Sequence, residues 1–205
     1  MSQEILEMVQ GMDLRDLGIQ LALQCAPLIA GLKMSNLLIV HRENLSKIQQ
    51  ILNRTGISFQ VLLTIGEKMT ILLYCEKSLE QYLNTREVAD LLLWLGYQSS
   101  ELSSILPIFK KRYQEHLSGE GEFPHEMGLL LGYPVEDVKG FIFHEGKNPL
   151  YVGYWKVYQN PGEKKKLFYQ FEKAQEHMLR MVSGGMSIME IIHSYQGRRR
   201  MNGYA

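Results

Sequence analysis

The feature that most constrains this chain is a pair of β-rich runs, residues 57–65 and 68–74, with only Gly66-Glu67 between them. Two residues are too few for a crossover, so the runs must pair antiparallel, and a glycine in so short a gap supplies the backbone freedom of a tight hairpin. A lone hairpin is barely stable in water and needs further strands or a helical cover. Candidates for both are present. Residues 36–41 form a short apolar run that suits a buried strand. Residues 150–158 alternate, with Val152, Tyr154, Lys156 and Tyr158 on one face and Tyr151, Gly153, Trp155 and Val157 on the other. This late run is expected to join the early three in one sheet, because an isolated strand leaves its backbone groups unsatisfied.

The rest of the chain reads as helix. Asp13 is the expected cap of a first helix carrying Leu14, Leu17, Leu21 and Leu28, interrupted by Pro27 and ended by Gly31. Residues 43–54 place Leu45, Ile48, Ile51 and Leu52 on one face before Gly56. Further helices are predicted at 78–83, 85–95 and 99–116, the last two opening on Thr85-Arg86-Glu87 and Ser99-Ser100-Glu101. Two short helices flank Gly132-Tyr133-Pro134 within residues 123–145, with Pro124 and Pro134 in first-turn positions. A long helix at 163–181 and a final one to Tyr195 are separated by Ser183-Gly184-Gly185. The expectation is an α+β fold, a small mixed or antiparallel sheet of about four strands covered by helices, in one domain over residues 1–196. Residues 197–205, with Arg198-Arg199-Arg200, read as a flexible basic tail.

Composition excludes several classes. Lysine plus arginine (22) equals aspartate plus glutamate (22), which argues against a strong grip on nucleic acid or an anionic membrane. The hydrophobic share of 45% is that of a globular domain, not of a disordered chain. Cys25 and Cys75 are the only cysteines, too few for a disulfide framework and without zinc-site spacing. The opening Met1-Ser2-Gln3-Glu4 does not read as a signal peptide, and the apolar stretch 17–32, broken by Gln20, Gln24 and Pro27, falls short of a membrane span. A cytoplasmic location is expected.

No phosphate loop, dinucleotide fingerprint or nucleophile elbow is present, and His125-Glu126 fails the H-E-x-x-H pattern because Leu129 stands where its second histidine would be. The densest group of unusual residues is Phe123-Pro124-His125-Glu126, Gly132-Tyr133-Pro134, Asp137 and Gly153-Tyr154-Trp155-Lys156-Val157-Tyr158. The run F-P-H-E-x-G-x-x-L-G-Y-P-x-E-D-V-x-G-F-I, followed by G-Y-W-K-V-Y, resembles a domain-of-unknown-function family of anaerobic Gram-positive bacteria, over roughly residues 20–175. The stretch from Cys25-Ala26-Pro27 to Gly31-Leu32-Lys33 is similar to that family's amino-terminal motif, while Met127 departs from the isoleucine expected there. The resemblance implies no activity. It implies a link to redox or iron physiology and a flavodoxin-like protein partner, because genes of similar proteins lie near flavodoxin and iron-uptake genes.

Two functional readings follow. The first is a non-catalytic module that binds a small ligand or a partner through His125, Tyr133, Asp137, Tyr154, Trp155, Lys156 and Tyr158. An aromatic surface with a lysine in it suits a planar ligand bearing a phosphate or carboxylate, and the same aromatics also suit plain packing under a helix. The alternative is a cysteine-dependent hydrolase or transferase with Cys25 as nucleophile, His125 as base and Glu126 or Asp137 to orient it. Against it stands the leucine-rich setting of Cys25, where a thiol behaves as a small hydrophobe. A histidine at a helix start has a lowered pKa, which favours a neutral base or ligand. The methionines Met178, Met181, Met186 and Met189 near His177 and His193 read as core filling, and no residue is assigned to a metal. The cofactor, if any, is unknown.

Overall fold

The computed structural model describes residues 3–201 and divides the chain into two compact units, Met1–Tyr74 with Tyr169–Ala205, and Cys75–Phe168.

The first unit is built on β1 (Ser35–His41), β2 (Ser58–Ile65) and β3 (Lys68–Tyr74), antiparallel in the order β1-β3-β2. The hairpin turns at Gly66, whose φ of +54° is the left-handed conformation that a two-residue turn asks of its first position. Register pairs Ile65 with Lys68 and then slips between Val61 and Leu63, a bulge that accompanies the full burial of Leu62.

Helix α1 (Gln3–Gln10) has no counterpart in the sequence expectation. Helix α2 (Leu17–Ile29) begins later than expected, because Asp16 and not Asp13 is its cap: the Asp16 carboxylate accepts from Ile19 N–H at 2.9 Å. Leu21, Ala22, Cys25, Ala26 and Leu28 are all buried, so α2 is enclosed rather than amphipathic. Pro27 cannot donate to the carbonyl of Leu23. Gln175 does so instead, its Nε2 lying 2.6 Å from Leu23 O, which satisfies a group that would otherwise be orphaned. At the β1 edge the Gln24 amide plays a similar part, accepting from Ile39 N at 2.8 Å and donating to Ile39 O at 3.1 Å. Helix α3 (Leu45–Leu52), preceded by a short 3₁₀ turn (Arg42–Asn44), lies between β1 and β2 in the chain.

The second unit holds α4 (Glu76–Leu83), α5 (Arg86–Trp94), α6 (Leu102–Ser118), α7 (Glu126–Leu130) and α8 (Val135–Phe143). The run 150–158 departs from expectation. It does not join the three-stranded sheet but folds on itself as a separate two-stranded hairpin, β4 (Tyr151–Val152) and β5 (Lys156–Val157). The premise that its backbone needs partners holds, yet they are local: Leu150 N donates to Val157 O at 2.8 Å, and an aspartate side chain takes the amides beyond β5. The chain bends at Gly153, where a Cβ would sit 2.4 Å from the ring of Phe168.

Helix α9 (Pro161–Ser183) contributes its first turns to the second unit and the remainder to the first. Helix α10 (Ile188–Met201) runs past the expected end at Tyr195. Residues 202–205 lie outside the described residues. Among the described residues, no helix is long and apolar enough to cross a membrane.

The fold makes a sharp prediction at Gly140, in the middle of α8. A Cβ there would lie 2.4 Å from Cβ of Tyr158, an atom fixed to the backbone that cannot swing aside. Alanine in a helix interior is worth about 1 kcal/mol over glycine, and overpacking costs about 1–3 kcal/mol or more. Sterics should win here. Gly140→Ala is expected to lose roughly 2 kcal/mol in urea unfolding despite its better helix propensity.

Candidate functional site

The site is organised by one carboxylate. Pro134, extended at φ −53° and ψ 133°, starts α8, and its carbonyl accepts from Asp137 N–H at 2.9 Å, which places Asp137 in the first turn. An acidic residue there is favoured by the exposed amides of the helix start. The Asp137 side chain is only 2% exposed, and both oxygens are engaged. Oδ2 accepts from the indole Nε1 of Trp155 at 2.8 Å, while Oδ1 accepts from the backbone N–H groups of Tyr158 (2.7 Å) and Gln159 (3.1 Å). One side chain thus ties both the tip and the exit of the β4–β5 hairpin to α8. A second clip joins the same helix to the start of α9, where Lys164 Nζ lies 2.9 Å from Glu136 Oε1.

Trp155 is held on both faces of its environment. The Tyr133 ring stacks on it at 4.8 Å and 26°, and Phe168 meets it edge-on at 4.5 Å and 87°. Tyr133 is itself fixed from behind, because the Tyr82 hydroxyl donates to its carbonyl. Burial raises the pKa of both tyrosine hydroxyls and keeps them protonated.

Between α7, α8 and the hairpin lies a cavity of about 260 Å³. Its apolar wall includes Leu131, Val138 and Met127, and its aromatic wall is formed by Phe123, Phe141, Tyr133 and Trp155. His125 and Lys156 supply the cationic and hydrogen-bonding groups. Six of the seven residues expected to bind a ligand therefore meet here: His125, Tyr133, Asp137, Tyr154, Trp155 and Lys156. Tyr158 does not line the cavity. Its ring stacks parallel on His144 at 5.4 Å, and its hydroxyl is enclosed without a hydrogen-bond partner. Phe141 was not foreseen as a site residue. The available signal was its spacing, four residues after Asp137 and hence on the same face of α8.

His125 precedes α7 and sits in an aromatic collar, its ring 5.4 Å from that of Phe123 and 5.9 Å from that of Phe141, both edge-on. Its Nδ1 is enclosed and has no hydrogen-bond partner. Burial pushes the imidazole below its ordinary pKa, opposed by the nearby carboxylates of Glu126 and Glu122, so the expected lowering is present but comes from desolvation. Lys156 Nζ donates to Gly146 O at 2.7 Å and lies 5.7 Å from the Phe141 centroid.

Glu126 belongs to a different arrangement. Its carboxylate, 1% exposed, accepts from Tyr97 OH at 2.8 Å and pairs with Arg112 at 3.2 Å, whose guanidinium lies 4.8 Å over the Tyr97 ring. That buried triad holds α6 to the start of α7, and it went unnoticed in the sequence because its members are dispersed. A second, more polar cavity of about 300 Å³ lies beside it, with Arg112, Glu115 and Glu122 in its wall together with His125.

Cys25 belongs to the first unit and His125 to the second. The thiol is fully buried and points at Leu37 O, 3.8 Å away, and burial pushes it up to about 12 in spite of Lys33 nearby. Lys33, bonded to Asn36 Oδ1 at 2.9 Å, is pushed down to about 8 by its own burial. This is the setting of a packing residue, since nucleophilic thiols have lowered pKa values and access to solvent.

The chain matches the family described as protein of unknown function (DUF3793) over residues 21–192, and it belongs to that family. A search of curated proteins and a search of solved structures each found no match.

Two outcomes follow from this geometry. Asp137→Asn keeps the shape but turns an NH₂ group toward a donor, so about 3 kcal/mol of stability should be lost, read from chemical denaturation. A thiol reagent at neutral pH should modify Cys25 in the native protein far more slowly than in denaturant, with no labelling phase of depressed pKa.

Proposed function

We propose that this protein is a non-catalytic binding module for a small molecule, which occupies the cavity between α7, α8 and the β4–β5 hairpin. The observation that carries the reading is the cavity itself. Five aromatic side chains and an incompletely hydrogen-bonded histidine surround a space of about 260 Å³, just below the roughly 300–1,000 Å³ of typical ligand sites. Ligand pockets are apolar enclosures with a few placed polar groups, and that is the composition here. The walls are also preformed: Asp137, Tyr133 and Phe168 fix Trp155 in place, so a ligand would meet little ordering cost.

A catalytic reading draws no comparable support. Asp137 is engaged by three donors, Glu126 is committed to Tyr97 and Arg112, and Cys25 is sealed in its core. A histidine that lacks both an activated nucleophile and an orienting carboxylate is better suited to recognition than to turnover. The link to redox or iron physiology and the flavodoxin-like partner rest on family resemblance alone, and the cavity's chemistry selects neither.

The test is a ligand-observed NMR screen of small aromatic metabolites against the whole chain and a blocked variant. Met127→Trp puts a larger side chain into the cavity wall and leaves Asp137 and Trp155 in place. Compounds should show transfer of magnetisation from the native chain and lose it in the variant, with the melting temperature of the two proteins within a few degrees. Hits that persist unchanged in a folded Met127→Trp protein would move the site elsewhere.

A further inference from the structure

The hydrogen-bonding groups around this cavity bear on its ligand's chemistry. Asp137 is the one carboxylate in the wall among the described residues, and its two oxygens are already shared among an indole and two backbone amides. Three of its roughly four acceptor positions are therefore taken. The nearest other buried carboxylate, Glu126, is neutralised by Arg112 at 3.2 Å. Lys156 is different. Its ammonium gives one hydrogen bond to Gly146 O and has two more protons to donate.

His125 adds a second donor. Its Nδ1 is enclosed and unpartnered, so Nε2 is the nitrogen left to meet a ligand. A neutral imidazole carries one proton. Placing it on Nε2 makes it usable, whereas placing it on Nδ1 would bury an N–H with no acceptor. Both groups flank the same ring, since Lys156 Nζ lies 5.7 Å and the His125 centroid 5.9 Å from the centroid of Phe141. The cavity thus offers hydrogen-bond donors beside Phe141 and aromatic walls around the rest.

We infer that the cavity takes a small planar aromatic acid, its rings among Phe123, Phe141, Tyr133 and Trp155 and its carboxylate at Lys156 and His125. The inference rests on the small-molecule reading above and narrows it to one class. Size agrees: about 260 Å³, just under the roughly 300–1,000 Å³ of typical ligand sites, suits one or two fused rings. Neutral aromatics would gain the same wall contacts without the charge-assisted bonds, and aromatic amines would place a cation beside Lys156.

Three isosteric probes separate these cases: naphthoate, naphthamide and naphthylmethylamine, titrated calorimetrically into the whole chain at low salt. Naphthoate should bind about tenfold more tightly than naphthamide, the scale of one charge-assisted hydrogen bond, and the amine most weakly. Lys156→Met, at an exposed position and checked for folding by circular dichroism, should weaken naphthoate several-fold more than naphthamide and so remove most of the preference for the acid. Lys156→Arg should keep the preference for the acid. If naphthamide or the amine matches naphthoate, or if Lys156→Met retains the preference, the acid assignment is overturned and the small-molecule reading stands. If none of the three binds the folded chain, both are overturned.

Discussion

The carboxylate of Asp137 is the point on which the second unit's architecture turns. A buried carboxylate with no partner is costly, and one that accepts three well-placed donors is among the firmer polar anchors a small fold can have. Here the donors come from the indole of Trp155 and from the two amides that follow β5. The hairpin has only two residues in each strand, far too few to hold its own shape. Much of its geometry is therefore borrowed from α8 through that side chain, which together with Tyr133 and Phe168 sets the position of Trp155.

Close packing around that anchor explains the glycines of the same region. Gly140 lets α8 approach Tyr158, and Gly153 lets the hairpin tip pass Phe168, each where an added Cβ would sit 2.4 Å from its neighbour. Aromatic rings then fill what the backbone leaves open. His125, with its ring between Phe123 and Phe141, is an exception, as is the enclosed hydroxyl of Tyr158. An enclosed nitrogen without a partner costs about 1–3 kcal/mol, and in native proteins such a group points to a role other than stability. The first unit resolves the comparable problem at Leu23, where Gln175 supplies the hydrogen bond that Pro27 lacks.

Much of the fold was legible because it rests on local rules. The hairpin at Gly66, the strand at 35–41 and the paired short helices around Gly132-Tyr133-Pro134 follow from turn chemistry, apolar runs and helix-start prolines. The candidate site was legible for a related reason: ionisable groups amid bulky aromatics, spaced by glycines, are not what a plain connector needs. Two expectations failed instructively. Asp13 and Asp16 are both plausible caps, and which one serves is decided by where Leu17 and Ile19 are buried, a tertiary fact. The expected alternation of 150–158 holds only in part, with Trp155 and Val157 buried and Val152 exposed but Gly153 exposed as well, and alternation carries no information about the partner.

By itself, then, the sequence determined the element types, the antiparallel hairpin, the apolar setting of Cys25 and the segment in which a site would lie, because each depends on neighbours along the chain. Tertiary structure alone decided that 150–158 closes on itself, that Asp137 is an anchor spent on Trp155 and two amides, and that Glu126 is locked to Tyr97 and Arg112. Those outcomes depend on which donor reaches which carboxylate across 14 to 29 residues of chain, and a hydrogen bond's geometry, unlike a helix's periodicity, leaves no repeating mark in the sequence.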